Sequence, residues 1–293
     1  MKKLLIIALA VIPVLFACKK SNTTPTTPDL ETPTYAKQAA KVELSTPITL
    51  KTKKGNAAIK KIDFLRGGSY IAEAIIAKAD EQTTTLTGTW TFTAGKGYVI
   101  KGEIEATVSV DKSGGSSATV TVTTTEEGAQ TSQATVEETK VQEGSTEDKI
   151  YRDWAIAKIV LSDFEKLGSA SVVATSLTAM VTEIEKKGVN ISADAKQKLL
   201  DHEVTKISLD EGVMLVVFKN EESFKGEFPK LSSTSTSADF NVDLSSFVKD
   251  LEGQKIKGTV SFNAYGQAVL ALQVPNIKDF GAGKAEITLS PKQ

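Results

Sequence analysis

Few side chains in this sequence are equipped for chemistry. His202 is the single histidine and Cys18 the single cysteine. A Ser-His-Asp hydrolase would have to use His202, and no Gly-x-Ser-x-Gly elbow exists to hold its serine. A histidine at a helix end is better explained as a charge favourable to the C-terminal dipole. Zinc takes several His, Cys or carboxylate ligands, and one histidine does not supply them. Haem would need His202 with a methionine, and no motif supports that pair. Acidic pairs stand at Glu126-Glu127, Glu137-Glu138, Asp210-Glu211 and Glu221-Glu222. A glycosidase needs two carboxylates about 5 to 10 Å apart across a cleft. These pairs fall in expected turns or on polar strand faces, where solvated charges belong. The loop from Asp111 to Ser117 lacks the alternating Asp spacing of a calcium loop. Gly67-Gly68 and Gly114-Gly115 neither open a helix nor carry the Lys-Ser/Thr of a phosphate loop. The expectation is a protein that is not an enzyme and uses no metal and no cofactor.

Cys18 has a different chemistry open to it. Lys2 and Lys3 give a basic start, and residues 4–16 form an apolar run interrupted by Pro13. That run is shorter than the roughly 20 residues of a spanning helix. With a small residue before the cut, it reads as an export signal over residues 1–17. Leu15-Phe16-Ala17-Cys18 resembles the bacterial lipobox, with Phe16 bulkier than the motif usually carries. The resemblance implies a lipoprotein of a Gram-negative-type cell envelope, lipidated on Cys18 and held by more than one acyl chain. Two chains anchor stably where one holds marginally. It also implies the outer membrane, because Lys19 stands where an Asp signals inner-membrane retention. The basic, polar Lys19-Lys20-Ser21-Asn22 favours the periplasmic face slightly over the cell surface. Residues 18–34, with Pro25, Pro28 and Pro33 among threonines, have little to bury and read as a tether. In a polyproline-like form it would span roughly 40 Å.

The remaining residues must supply any binding surface. Net charge is −1 and no basic stripe is present, so nucleic acid is not an expected partner. Alternation with period two dominates, which predicts strands. Ala106, Val108 and Val110 share one face, Gly114-Gly115 turns the chain, and Ala118, Val120 and Val122 alternate back. Segments 42–50, 58–65, 70–78, 84–92 and 98–104 follow the same scheme, with a weaker one at 131–141. Residues 143–148 are polar and turn-rich and read as a boundary. Strands resume at 154–161, 204–209, 213–219, 224–228, 238–244, 256–262, 268–274 and 284–289. Between them, Val173, Leu177, Met180, Val181 and Ile184 share a helical face. Ser169 or Ser171 is the expected cap and Gly188 the end. Ser192 then caps a short helix running through His202. The expected organisation is an N-terminal β domain at 35–144 and a C-terminal one at 148–293 carrying a helical insert at 169–202.

The halves share short similarities. Ile59-Lys60-Lys61-Ile62-Asp63-Phe64 before Gly67-Gly68 matches Val204-Thr205-Lys206-Ile207-Ser208-Leu209 before Glu211-Gly212. Gly88-Thr89-Trp90-Thr91-Phe92 parallels Gly226-Glu227-Phe228. Duplication and two generic hairpins both account for this, and both stay open.

The lipobox, the Gly-turn hairpin ending near Tyr70 and the Gly88-Thr89-Trp90 triplet together resemble lipocalin-like (calycin-type) lipoproteins. Gly-x-Trp is the lipocalin signature, placed here in the third or fourth strand instead of the first. The resemblance implies a mainly β fold of two small antiparallel barrels or sandwiches. An eight-stranded barrel either fills with its own side chains or holds one small apolar ligand. Trp90, Phe92, Tyr70 and Trp154 are then core aromatics, some of which could line a pocket. The expected role is ligand binding, of a small apolar molecule or a glycan. The plan also resembles fimbrial subunits, two-domain β lipoproteins that polymerise by strand exchange. Arg66, before Gly67-Gly68, reads as an exposed point where a protease would release the strand.

Overall fold

The structure, a computed structural model, describes residues 38–53, 55–76, 83–113, 117–139, 141, 145–191, 193–220, 222–228, 237–243, 255–263, 266–277 and 281–292. The export signal, Cys18, the tether and Ser192 lie outside the described residues. The chain is mainly β and divides between Glu143 and Gly144 into two compact units.

The first unit is a closed antiparallel barrel of eight strands. They are β1 (Ala40–Thr52), β2 (Gly55–Phe64), β3 (Ser69–Ile76), β4 (Thr83–Thr93), β5 (Gly97–Gly102), β6 (Ala106–Asp111), β7 (Ala118–Thr124) and β8 (Gly128–Glu138). Each pairs with the next, and β1 closes the ring on β8 from Ala40↔Glu138 to Leu44↔Ala134. Strand count and order are those of the lipocalin architecture. The period-two pattern, with one register shift between Ile59 and Lys61 of β2, puts Val42, Ile59, Ile62, Ala72, Leu86, Ile100, Val108, Val120 and Ala134 inside, where they form one core. The register of β1 against β2 shifts between Glu43 and Ile48, around Pro47, which has no N–H to give. Ser132 of β8 covers this break. Thr46 N–H donates to Ser132 Oγ at 3.1 Å, and that hydroxyl donates to Thr46 O at 2.8 Å.

The second unit repeats the strand order. Its strands are β9 (Asp153–Ser162), β10 (Val172–Ala174), β11 (Val204–Asp210), β12 (Val213–Phe218), β13 (Ser223–Gly226), β14 (Ser237–Asp243), β15 (Lys255–Phe262), β16 (Ala268–Ile277) and β17 (Gly281–Pro291). Leaving out β10, which pairs with β9, the remaining eight run β13-β12-β11-β9-β17-β16-β15-β14. The first strand again pairs with both the second and the last. Among the described residues β13 and β14 do not pair, so this sheet is curled but open where β4 and β5 close the first. Gly226 stands opposite Met214 as Gly88 stands opposite Tyr70.

The helical hairpin lies between β10 and β11, as helices Leu177–Lys186 and Ala193–Asp201. Its first helix starts later than the periodicity predicts. Val172 to Ala174 pair with Ile159 to Leu161 of β9, a role suited to β-branched residues, and Val173 faces solvent. The cap is Ser176, whose hydroxyl accepts from Ala179 N–H at 3.1 Å, not Ser169 or Ser171. The polar stretch read as a boundary ends in a short helix, Thr146–Ile150, capped by Ser145. Two further corrections concern exposure. Arg66 is only 3% exposed, because its turn is bound into the barrel: Trp90 N–H donates to Gly68 O at 2.7 Å and Gly68 N–H to Leu65 O at 3.0 Å. Asp210 is buried too, with Oδ1 accepting from Glu211 N–H at 2.7 Å.

Candidate functional site at the barrel mouth

At one end of the first barrel β1 and β7 begin, β6 and β8 stop, and the turns β2–β3 and β4–β5 gather. Four rings rise toward this end. Trp90 and Phe64 meet edge to face with centroids 5.7 Å apart. Phe64 stacks on Tyr98 at 3.8 Å, and Phe92 meets Tyr98 edge to face at 5.2 Å. The first three are buried, while Phe92, next in the inward series Trp90, Phe92, lies at the rim and is 43% exposed.

Above Tyr98 the mouth holds a cavity of about 360 Å³. Its apolar walls are Phe92, Tyr98, Val110 and Val136, and its polar rim is Gln38, Lys96, Ser109, Lys112 and Glu138. The Tyr98 hydroxyl donates to Gln38 O at 2.7 Å, which ties β5 to the chain ahead of β1. Burial pushes this hydroxyl up to about 12, and the Glu138 carboxylate adds to the rise. Glu138 is ion-paired with Lys112 across the rim. Lys96 sits in the tight β4–β5 turn, where its N–H donates to Thr93 O at 3.0 Å. The volume lies at the low end of small-molecule sites, and apolar walls with a few rim polar groups are their usual lining.

The aromatic residues singled out in the sequence separate here. Phe92 lines the cavity. Trp90 and Tyr70 are buried below it, each held by a polar contact to the backbone. Trp90 Nε1–H donates to Leu65 O at 3.0 Å. The Tyr70 hydroxyl accepts from Ile104 N–H at 3.0 Å and donates to Ile104 O at 3.3 Å. Trp154 belongs to the second unit, where Nε1–H donates to Ile150 O at 2.9 Å and Arg152 lies over its ring at 6.0 Å. Tyr98 and Val136 were missed. A signal for Tyr98 was present: a turn at Ala94-Gly95-Lys96 places it directly across from Phe92.

His202 belongs to the second unit. Its Nε2 lies 3.2 Å from Glu222 Oε2 and its ring meets the edge of Phe218. Glu126 and Glu127 sit in the β7–β8 turn, where Lys51 engages both, by its ammonium and its backbone N–H. The Asp111 carboxylate accepts from Ser113 N–H, which holds it below the usual carboxylate range. Among the described residues no three His, Cys, Asp or Glu are grouped to hold a metal ion, and no helix is long and apolar enough to cross a membrane. No protein-family model and no curated protein matches the chain.

Proposed function

We propose that this chain is a lipid-anchored outer-membrane lipoprotein of the lipocalin-like kind, a non-enzymatic binding module that holds a small apolar or glycan ligand at the mouth of its first barrel. The observation that carries the binding role is the cavity above Tyr98, walled by Phe92, Val110 and Val136 and rimmed by polar groups. The barrel below it is filled with its own side chains, so a ligand would sit at the mouth and not deep in the interior. The anchor rests on the lipobox ending in Cys18, the membrane being reached through its lipid, with the periplasmic face slightly favoured.

The test has two parts. A Cys18→Ser variant should leave the membrane fraction, and its retention there would remove the anchor. Residues 19–293, which hold all the strands described in both units, should bind members of a panel of alkyl chains and oligosaccharides. Phe92→Ala should abolish that binding while leaving thermal unfolding unchanged. Unchanged binding in this variant would remove the mouth as the site.

A second reading, a subunit assembling by β-strand exchange, is favoured by one observation. Among the described residues β13 and β14 each hydrogen-bond to a single neighbour, and such edges template pairing with another chain. Sedimentation separates the readings: a concentration-independent monomer removes the second.

A further inference from the structure

The rim charges of the mouth narrow the class of ligand, on the reading that the mouth is a binding site. Three ionisable side chains line the cavity besides Tyr98: Lys96, Lys112 and Glu138. The Lys112 ammonium is already neutralised by the Glu138 carboxylate. Lys96 has no ion-pair partner among the described residues, and the turn fixes its backbone at the cavity edge. Among the described residues the lining therefore sets one positive charge, that of Lys96, beside apolar walls with no carboxylate paired to it. Tyr98, its hydroxyl committed to Gln38 O and its proton held to about 12, adds no negative charge at neutral pH.

We infer that the mouth takes an amphiphilic anion: an apolar body against Phe92, Tyr98, Val110 and Val136, and one acidic head against Lys96. A neutral apolar molecule fills the walls but leaves Lys96 unused. A cation is repelled there. An uncharged glycan makes poor use of the aliphatic half of the lining. Steering by a single exposed lysine is weakened by salt, so the head-group preference should fall as ionic strength rises while the apolar contribution persists.

The experiment uses residues 19–293 and two fluorescent probes of matched shape, anilinonaphthalene sulfonate and neutral phenylnaphthylamine. The expected result is tighter binding of the sulfonate by roughly fivefold at low salt, the scale of one partly exposed charge contact. Lys96→Gln should bring the two probes to equal affinity without weakening the neutral one. Phe92→Ala should weaken both. Equal affinities in the unsubstituted chain, or a sulfonate preference that survives Lys96→Gln, would overturn the anion assignment and leave the mouth as an apolar site. If neither probe binds, or if both bind equally well after Phe92→Ala, the mouth itself is not the site and both readings fall.

Discussion

The ring of Tyr70 lies directly on the bare Cα of Gly88: a Cβ built on Gly88 would stand 2.6 Å from Tyr70 Cε1 and 2.1 Å from Lys101 O. Gly88 is also paired with Gly102 across β4 and β5, where Gly102 has φ +144. An aromatic ring covering a glycine lets the two strands cross closely and curve, a device that closes small barrels. Gly88→Ala should therefore force β4 from β5 and destabilise the first unit by about 3 kcal/mol or more. Thermal unfolding followed by tryptophan fluorescence measures it. An unchanged midpoint would mean the strands do not cross as described.

The same tyrosine carries a second load. Its hydroxyl is the acceptor for the buried Ile104 N–H, which has left the ladder after Gly102. Tyr70→Phe keeps the ring on Gly88 and leaves that N–H unpaired, at a cost of about 1 to 3 kcal/mol. Denaturant unfolding of the two variants should show Tyr70→Phe milder than Gly88→Ala; the reverse order would locate the main contribution in the hydroxyl.

Alkaline pH should weaken the barrel before it weakens exposed structure. Tyr98 is raised from an ordinary 10.0 to about 12 by burial, with Glu138 contributing, and burial shifts Tyr70 further in the same direction. The folded chain thus keeps protons that the unfolded chain releases. The stability involved is whole below pH 10.0 and is lost as pH climbs through the folded value. Melting temperatures taken from pH 9 to about 12 should fall, and Tyr98→Phe should flatten part of that fall. Parallel curves for the variant and the parent would refute the coupling.

In the second unit, Ser176 caps the helix Leu177–Lys186, whose Met180 and Ile184 are buried. Ser176→Ala should cost about 1 kcal/mol of that unit's stability. Ser171→Ala should cost nothing measurable, since the helix begins beyond it. Equal losses at the two sites would return the cap to the position that periodicity alone predicts.

The sequence by itself determined the strands. Alternation at Ala106, Val108 and Val110 and the returning Ala118, Val120 and Val122 requires a half-buried hairpin, because period two is the only backbone repeat that puts those residues on one face. It determined the helical hairpin in the second half as well, through Met180, Val181 and Ile184. It misplaced that helix's start because Val173 fits a helical stripe and a strand equally well; only the pairing of Val172 to Ala174 with β9, invisible to a periodicity, decides between them.

Closure belonged to the tertiary structure. Nothing local to β1 or β8 announces that Val42 will face Val136, or that β4 and β5 close one sheet while their counterparts β13 and β14 do not pair among the described residues. The candidate site was half legible. Phe92 stood out as an aromatic at the end of a strand, while its partner Tyr98, which the turn between them places directly opposite, was missed. Val110 of β6, Lys112 just past its end, and Val136 and Glu138 of β8 come to face Phe92 only once the sheet curls into a barrel. A strand's own residues fix which way its side chains point. Which side chains then converge at a mouth depends on strand order and stagger, and those are set by contacts between segments far apart in sequence.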